Sequence, residues 1–392
     1  MKSKRIICTF GTRPEAIKMA PVVKQLQGRN HWEVSTVVTG QHREMLKQVM
    51  DLFGLRASVD LDIMSHAQSL TDITTRCLGG LEPVFSRMKP DLVLVHGDTT
   101  TTLAAALSAF YGRVPVGHVE AGLRTFDPLE PFPEEMNRVL TDRISSLHFA
   151  PTDLNRRHLE RESVSGDTIF VTGNTAIDAL LEVTDSGYIF GNEELRCTPW
   201  GDSPLVVCDV HRRESFGEPI RSVARALARL VTDEDLHLVV SVHPNPEVKE
   251  PLLQILEGCP NISLVEPLHY GDWANLMARS HFVITDSGGL QEEAPALGVP
   301  VLLTRDKTER PEAVEAGTVL QVGGDGSRLF DAARRLLRDP GEHARMSGAP
   351  NPYGDGKAAR RIADYLEWYW DFVEERPVPF AGPDSNPGRG GR

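Results

Sequence analysis

The chain has 392 residues, of which 40% are hydrophobic and 25% charged, and its formal net charge is −13. This length predicts two domains with a sizeable core each, and the acidic charge argues against a nucleic-acid or anionic-membrane surface. The five cysteines form no C-x-x-C pair, so neither a disulfide framework nor a thiolate zinc site is predicted. With no apolar run of membrane-spanning length and no signal-peptide core, we expect a cytoplasmic protein.

The first half alternates short apolar runs with helical patterns. Residues 5–10 predict a buried parallel strand, and a turn at Gly11 leads into a helix over residues 16–26, for which Pro14 suits the first position. Arg13 and Lys18 then lie near the helix start, where the dipole disfavours a cation. This indicates either an anionic ligand nearby or two solvated side chains. The second strand, over residues 33–39, ends before Gly40. A dinucleotide site would need G-x-G-x-x-G after the first strand, so NAD is disfavoured.

Acidic residues follow two consecutive predicted strands. A helix over residues 71–87 and a strand over residues 91–95 precede Asp98, and a strand over residues 114–119 precedes Glu120. The carboxyl ends of parallel strands meet at one edge of a doubly wound sheet, where ligands bind. Either acid alone could instead be a helix cap or a turn residue. A proline-rich loop then leads to Glu134 and to a helix that contains Arg138.

The second half repeats the α/β rhythm. Its strands are predicted at residues 205–210, 236–242, 262–266, 282–285, 299–303 and 319–322, with helices between them. The predicted fold class is therefore α/β, with two Rossmann-like doubly wound domains facing a cleft. We place the N-terminal domain at residues 1–173 and the C-terminal domain at residues 174–356. A helix over residues 357–375 and a flexible Pro- and Gly-rich tail over residues 376–392 follow.

The stretch after the strand at residues 282–285 has the layout of an anion site. Gly288 and Gly289 allow the backbone to approach a ligand, and the helix that follows presents unpaired N–H groups. Ser287 could cap this helix or bond a phosphate oxygen. Glu292 and Glu293 suit the helix dipole, but an acid there could also accept hydrogen bonds from a ribose. The alternative is an ordinary Gly-rich turn with an acidic first helical turn.

Seven motifs occur in order between about residue 6 and residues 351–356. They are Gly11-Thr12-Arg13-Pro14-Glu15-Ala16-Ile17-Lys18, His96-Gly97-Asp98-Thr99-Thr100, Gly117-His118-Val119-Glu120-Ala121-Gly122-Leu123-Arg124, Pro133-Glu134-Glu135, His211-Arg212-Arg213-Glu214-Ser215-Phe216-Gly217, Asp286-Ser287-Gly288-Gly289-Leu290-Gln291-Glu292-Glu293 and Thr308-Glu309-Arg310-Pro311-Glu312-Ala313. Together they resemble the bacterial non-hydrolysing UDP-N-acetylglucosamine 2-epimerase family. Each motif alone is weak, but their common order and spacing are specific.

The resemblance implies the two-domain glycosyltransferase-B architecture. It implies that the C-terminal domain holds UDP, that the sugar lies in the cleft, and that the last helix crosses back onto the N-terminal domain. The implied catalytic residues are Asp98, Glu120, Glu134 and His211. The implied UDP- and sugar-binding residues are Arg13, Lys18, Arg138, Ser287, Gly288, Gly289, Glu293 and Arg310.

The resemblance also has consequences for ligands and assembly. It implies no cofactor and no metal, a homodimer, and UDP-N-acetylglucosamine both as substrate and as an allosteric activator at a second site. The stretches that resemble the lining of that second site contain Gln41, Gln68 and His243, which could equally be ordinary helix-start and loop residues.

One feature departs from the family pattern. Cys208-Asp209-Val210 stands where a Thr and a small residue are expected, and an acid directed at phosphate would oppose binding.

The chemistry of the residues agrees with this resemblance. The sequence offers no NAD site for transient oxidation of the sugar, so inversion at C2 requires elimination of UDP across C1–C2 and its re-addition. That route needs carboxylates near C2 and cationic or N–H groups around the pyrophosphate. The alternatives are a hydrolysing epimerase that releases UDP and N-acetylmannosamine, a glycosyltransferase of the same architecture, and a catalytically idle nucleotide-sugar sensor. The combination of Asp98, Glu120 and Glu134 disfavours the sensor.

Overall fold

The computed structural model describes residues 3–40, 43–65, 68–198 and 200–382. The chain divides into two compact units, Met1–Ala179 with Tyr353–Arg392 and Leu180–Pro352. The predicted boundaries after residues 173 and 356 lie near these divisions without coinciding with them. The reason is that Asn174 N donates to Tyr353 O at 2.7 Å, so the stretches around both residues pack within the first unit.

The first unit is built on a seven-stranded parallel sheet. Its strands are β1 (Lys4–Phe10), β2 (Trp32–Val38), β3 (Val59–Asp60), β4 (Leu92–His96), β5 (Val116–Val119), β6 (Leu147–Ala150) and β7 (Ile169–Val171). Its helices before the first division are α1 (Arg13–Gln27), α2 (Arg43–Leu52), α3 (Leu70–Met88), α4 (Thr100–Tyr111), α5 (Glu134–Ile144) and α6 (Asp153–Arg161), and the division itself falls within α7 (Thr175–Val183). The strand order β3-β2-β1-β4-β5-β6-β7 reverses between β1 and β4. The strands read as continuous apolar runs because helices cover both faces of the sheet.

The second unit repeats this plan with six parallel strands. They are β8 (Leu205–Asp209), β9 (His237–Ser241), β10 (Ile262–Val265), β11 (Phe282–Thr285), β12 (Val301–Leu303) and β13 (Val319–Gln321). The helices are α8 (Glu193–Cys197), α9 (Glu218–Asp233), α10 (Pro246–Leu256), α11 (Tyr270–Ala278), α12 (Leu290–Ala296), α13 (Pro311–Ala316), α14 (Gly326–Arg338) and α15 (Pro340–Ser347). The order β10-β9-β8-β11-β12-β13 reverses between β8 and β11. Ligand sites of doubly wound sheets lie outside the strand carboxyl ends at such reversals.

The last helix, α16 (Ala358–Tyr369), belongs to the first unit and packs on α1. Arg29, just beyond α1, contacts Asp364 at 2.5 Å and Glu367 at 2.7 Å. The Asp178 carboxylate accepts from the backbone N–H groups of Ala358 and Ala359, which begin the helix. The helix is shorter than the predicted 357–375, because the backbone turns left-handed at Asp371, with φ of 56°.

Over the described ranges, no helix combines the length and the apolar character that crossing a bilayer would require.

Candidate active site

Two predicted acids lie at the carboxyl ends of neighbouring strands in the first unit. Asp98 follows β4 and Glu120 follows β5, and these two strands pair in parallel. The backbone turns sharply beside or at each acid, since Gly97 and Glu120 both have φ of 66°. A Cβ on Gly97 would lie 3.6 Å from Glu120 Oε1. The Glu120 carboxylate therefore lies against the turn that carries Asp98.

Each of these acids contacts a predicted cation. Lys18 Nζ of α1 contacts Glu120 Oε2, and Arg138 of α5 lies 2.7 Å from Asp98 Oδ2. Burial raises the pKa of Asp98, and Arg138 opposes this rise. The charges of Glu120 and Glu134 raise it further. The contact with Glu120 thus accounts for a cation at position 18, near the start of α1. Arg13 is the first residue of α1 and is half-buried.

Glu134 joins this group as the first residue of α5. A carboxylate at that position interacts favourably with the helix dipole. Its Oε2 atom is buried and has no hydrogen-bond partner among the described residues. Asn137, in the same turn, donates from Nδ2 to the backbone oxygen of Asp98 at 2.9 Å. Helix α5 therefore holds the Asp98 turn and presents Glu134 and Arg138 to it. An unsatisfied buried carboxylate oxygen calls for a functional explanation.

Buried groups that sequence reasoning did not assign support these turns. Glu15 accepts from Gly11 N at 3.1 Å and Thr12 N at 2.8 Å, and also from the Thr99 and Thr102 hydroxyls at 2.7 and 2.9 Å. It thereby joins the turn that carries Arg13 to the start of α4, next to Asp98. The Thr12-x-x-Glu15 spacing of a capping box was the available sequence signal for it.

A second buried network contacts the backbone next to Asp98 and Glu120. His118 Nδ1 lies 2.6 Å from Asp142 Oδ1, and His118 Nε2 lies 2.7 Å from Gly97 O. The other Asp142 oxygen accepts from Arg124 at 2.7 Å and from Gly122 N at 3.3 Å. Burial would raise the pKa of Asp142, but His118 and Arg124 lower it to about 2. Asp142 lies on α5, whereas its partners His118, Gly122 and Arg124 share one motif, and no local sequence pattern predicts that Asp142 contacts them.

In the second unit, Asp286 connects the ends of β8 and β11. It is fully buried and accepts from the backbone N–H groups of His211 and Arg212 at 3.0 and 2.9 Å and from Ser215 Oγ at 2.7 Å. The loop after β8 is therefore held in place by the first residue of the Asp286-Ser287-Gly288-Gly289 motif. Sequence reasoning gave this acid no role of its own.

The unexpected acid at Asp209 is paired with a predicted site residue. Its Oδ1 atom lies 3.2 Å from His211 Nδ1. Burial would lower the pKa of His211, but the hydrogen bond and charge of Asp209, with the charge of Asp286, raise it overall. The Asp209 charge is therefore offset locally by an imidazole that gains a proton more readily. The His211 ring also stacks on His243, with centroids 5.6 Å apart.

Arg310 lies against the glycine turn of the same unit. Its Nε donates to Glu292 at 2.5 Å and its NH1 to Glu309 at 2.6 Å. Burial would raise the pKa of Glu309, but Arg310 and Arg305 lower it to about 2. A Cβ on Gly288 would lie 2.5 Å from Arg310 NH1, whereas one on Gly289 would meet nothing closer than 3.8 Å. A larger residue at position 288 would therefore have to displace the Arg310 guanidinium.

The remaining residues of this turn differ in their surroundings. Ser287 N donates to Thr285 Oγ1 at 2.9 Å, and the backbone oxygen of Ser287 accepts from Gln291. Helix α12 begins after Gly289 without a side-chain cap, so Ser287 does not cap it. Glu292 is buried against Arg310, while Glu293 is half-buried. Of the two acids, Glu293 has the more accessible position for a ligand.

The structure describes two of the three predicted regulatory residues. Gln68 donates to Ile63 O at 2.7 Å within its own loop in the first unit. His243 Nδ1 in the second unit accepts from Asn245 N at 3.2 Å. Gln41 lies outside the described residues. Across the described part of the chain, no three His, Cys, Asp or Glu side chains are grouped as a metal ion would require.

Comparisons with known proteins agree with this architecture. A family model described as UDP-N-acetylglucosamine 2-epimerase matches residues 24–367. The chain is 50% identical to the UDP-N-acetylglucosamine 2-epimerase of Escherichia coli K12, covering 93% of this chain and 98% of that one. It is 47% identical to the Bacillus subtilis enzyme of that name, covering 97% and 100%. The structure of the Neisseria meningitidis UDP-GlcNAc 2-epimerase bound to UDP-GlcNAc superposes with a TM-score of 0.82 at 43% identity, covering 92% and 99%.

Two parallel sheets with interleaved helices define an α/β protein of the glycosyltransferase-B class, which confirms the predicted fold class. Within that class, the chain belongs to the UDP-N-acetylglucosamine 2-epimerase family, as its seven motifs predicted.

Proposed function

We propose that this protein interconverts UDP-N-acetylglucosamine and UDP-N-acetylmannosamine without hydrolysis, by eliminating and re-adding UDP through a 2-acetamidoglucal intermediate. The observation that carries the proposal is the group of three acids with two cations at one sheet edge. It comprises Asp98, Glu120, Glu134, Lys18 and Arg138. Family membership supports the substrate, since the relative from Neisseria meningitidis binds UDP-GlcNAc.

The acids of the first unit supply the proton transfers. One carboxylate takes the proton from C2, the C2–H electron pair forms the C1=C2 bond, and the C1–O bond to UDP breaks. A second acid then delivers a proton to the opposite face of C2, while a phosphate oxygen of UDP re-forms the bond to C1. The raised pKa of Asp98 suits an acid that must carry a proton near neutral pH. The cations Lys18 and Arg138 stabilise carboxylates in their ionised form.

The loops of the second unit bind the leaving UDP. The raised pKa of His211 favours an imidazolium beside the pyrophosphate, and Arg310 adds a second positive charge. Gly288 lets the chain pass close to Arg310. Such fixed donors stabilise negative charge as it develops on the leaving phosphate. Glu293 is the proposed ribose ligand, because Glu292 is already buried against Arg310.

Incubation with UDP-N-acetylglucosamine in D2O tests the mechanism. We expect UDP-N-acetylmannosamine with deuterium at C2, because the proton removed from C2 exchanges with solvent before it is returned. We also expect no accumulation of free UDP or N-acetylmannosamine, which separates this reaction from hydrolysis. NMR of the products over time follows both. Retention of the original hydrogen at C2 would rule out elimination, and stoichiometric UDP release would favour the hydrolysing reaction.

The regulatory site and the homodimer are proposed on narrower grounds. His243 stacks on His211, so a second UDP-N-acetylglucosamine bound at His243 would act on a neighbouring site residue. Equilibrium binding with the His243→Ala variant, counting ligands per chain, tests this site.

The dimer is supported by exposed apolar side chains on the packed helices α4 and α5, namely Phe110, Tyr111 and Leu140. Sedimentation of the protein and of a Tyr111→Ser variant tests the dimer.

A further inference from the structure

Asn174 is a buried residue that contacts Glu120. It lies between β7 and α7 and is 2% exposed. Its Nδ2 donates to Glu120 Oε2 at 2.9 Å, and its backbone N–H donates to Tyr353 O at 2.7 Å. The side chain therefore reaches Glu120 from a backbone that is fixed on its other side.

A second hydrogen bond determines which way the Asn174 amide points. Its Oδ1 accepts from the backbone N–H of Ala176 at 2.9 Å, in the first turn of α7. A backbone N–H can only donate, so the amide oxygen must face Ala176 and the NH2 group must face Glu120. An NH2 group in turn can only donate, so Glu120 Oε2 must accept. The amide thus favours the ionised form of Glu120 through geometry alone.

The charged and titratable groups around Glu120 come from three other elements. Lys18 of α1 contacts the same Oε2 atom, and His96 Nε2 of β4 lies 3.8 Å from it. His96 is neutral, because burial lowers its pKa to about 3. Asp98, on the adjacent strand end and itself beside Glu134, is the nearby like charge. Lys18 and Asn174 together therefore oppose the effect of Asp98 on the Glu120 carboxylate.

We propose that Asn174 is a positioning residue that orients the Glu120 carboxylate and keeps it able to accept a proton. The role in turnover rests on the proposed function, in which the acids of the first unit, Glu120 among them, transfer the C2 proton. The effect of Asn174 on Glu120 ionisation does not depend on that function. The residue lies outside the seven motifs, on a turn whose only sequence signal is Gly173-Asn174-Thr175.

The test compares Asn174→Asp with Asn174→Ala. The aspartate keeps the size of the side chain and an oxygen for the Ala176 N–H, but replaces the donor with a second carboxylate facing Glu120. At neutral pH we expect kcat/KM for epimerisation to fall about tenfold or more in both variants, mainly through kcat. On acidification the introduced carboxyl takes up a proton and donates again, so Asn174→Asp recovers activity relative to Asn174→Ala. Asn261→Asp makes the same charge change at an exposed left-handed position and should behave as wild type.

A measurement without turnover separates this proposal from the proposed function. Glu120→Gln identifies the infrared band of the Glu120 carboxylate by its loss. In Asn174→Asp, we expect that band to titrate about one pH unit or more higher than in wild type, because two carboxylates then share one site. In Asn174→Ala we expect the Glu120 band to shift in the same direction, because the amide donor is lost. This variant introduces no buried charge, so it tests the role of Asn174 even if the aspartate variant does not fold.

The outcomes are distinct. Unchanged titration of the Glu120 band in the folded variants would overturn the role of Asn174. Shifted titration together with an absence of C2 exchange in the wild type would instead overturn the proposed function and leave the Asn174 contact established. Loss of activity with no difference in pH dependence between the two Asn174 variants would reduce Asn174 to a packing residue and would also overturn the proposal.

Discussion

The acid cluster of the first unit and the glycine turn of the second both contain carboxylates beside cations. The two regions differ in how far these carboxylates are buried. In the first unit, Asp98 and Glu120 stay half-buried and contact cations that come from helices. In the second unit, Asp286 and Glu292 are buried. There the acids hold a loop or an arginine in place. We propose that the same residue types serve proton transfer in one unit and anion binding in the other.

The largest expected effect concerns the buried acid of the second unit. Asp286→Ala leaves three donors of the β8 loop without their acceptor, and we expect it to lower the free energy of unfolding by about 3 kcal/mol or more. Asp286→Asn keeps one acceptor and should lose less. Denaturant titration of both variants measures this. An unfolding midpoint unchanged in Asp286→Ala would show that the loop holds its place without this carboxylate.

Substitutions of the acids in the first unit should lower the reaction rate. Asp98→Asn, Glu120→Gln and Glu134→Gln are each expected to lower kcat by more than about 100-fold while UDP affinity stays near wild type. The amides keep shape and one acceptor, so the loss reports chemistry. Rate measurements and calorimetric UDP titration check this, with the exposed Glu160→Gln as control. A variant within a few-fold of the wild-type rate does not carry a catalytic carboxylate at that position.

The proposed phosphate ligands should show an intermediate effect. Arg310→Ala and Ser287→Ala are expected to weaken UDP binding by about 1–3 kcal/mol each, as for charge-assisted or buried phosphate hydrogen bonds. Arg310→Ala also removes the guanidinium that contacts both Glu292 and Glu309, so it should be the more severe. Calorimetric titration with UDP measures both variants. Wild-type affinity in both would move the phosphate site elsewhere.

Two neighbouring glycines offer a smaller, matched comparison. In Gly288→Ala the new methyl group collides with the Arg310 guanidinium, while in Gly289→Ala it has ordinary contacts. We expect the first change to weaken UDP binding about tenfold, or about 1.4 kcal/mol, and the second to have little effect. The same titration is used. Equal losses at both positions would point to the backbone, and not to Arg310, as the sensitive feature.

The smallest effect concerns pH. The raised pKa of His211 means that its contribution to stability and to anion binding is fully present below its ordinary pKa, about 6.5, and is lost as the pH rises through the higher folded value. Asp209→Asn removes the charge that raises this pKa, so UDP affinity should begin to fall at lower pH than in wild type. Comparing the two proteins cancels the titration of UDP itself. Coincident pH profiles would mean that Asp209 does not control His211.

Sequence reasoning predicted the fold class correctly and proposed most of the candidate site residues, because both inferences rest on local patterns. Apolar runs that alternate with helical periods identify parallel strands, and Asp98 and Glu120 follow two of them. The supporting groups were harder to find. Asp142, Asn174 and Asp286 act through partners distant in the chain, and a single sequence carries no signal for such contacts. The sequence did not decide whether Lys18 faces a ligand or solvent, because the four strands β2 to β5 separate it along the chain from its partner, Glu120.

The return of α16 to the first unit affects how the chain folds during synthesis. Tyr353–Arg392 completes the first unit, while Leu180–Pro352 forms a continuous stretch. The ribosome therefore releases every residue of the second unit before α16 can reach α1. Until then, the α1 surface that α16 covers, with Arg29 beside it, stays exposed to solvent. A chain that stops before Ala358 would lack its partner for Asp178, and its first unit would be the aggregation-prone part of the nascent protein.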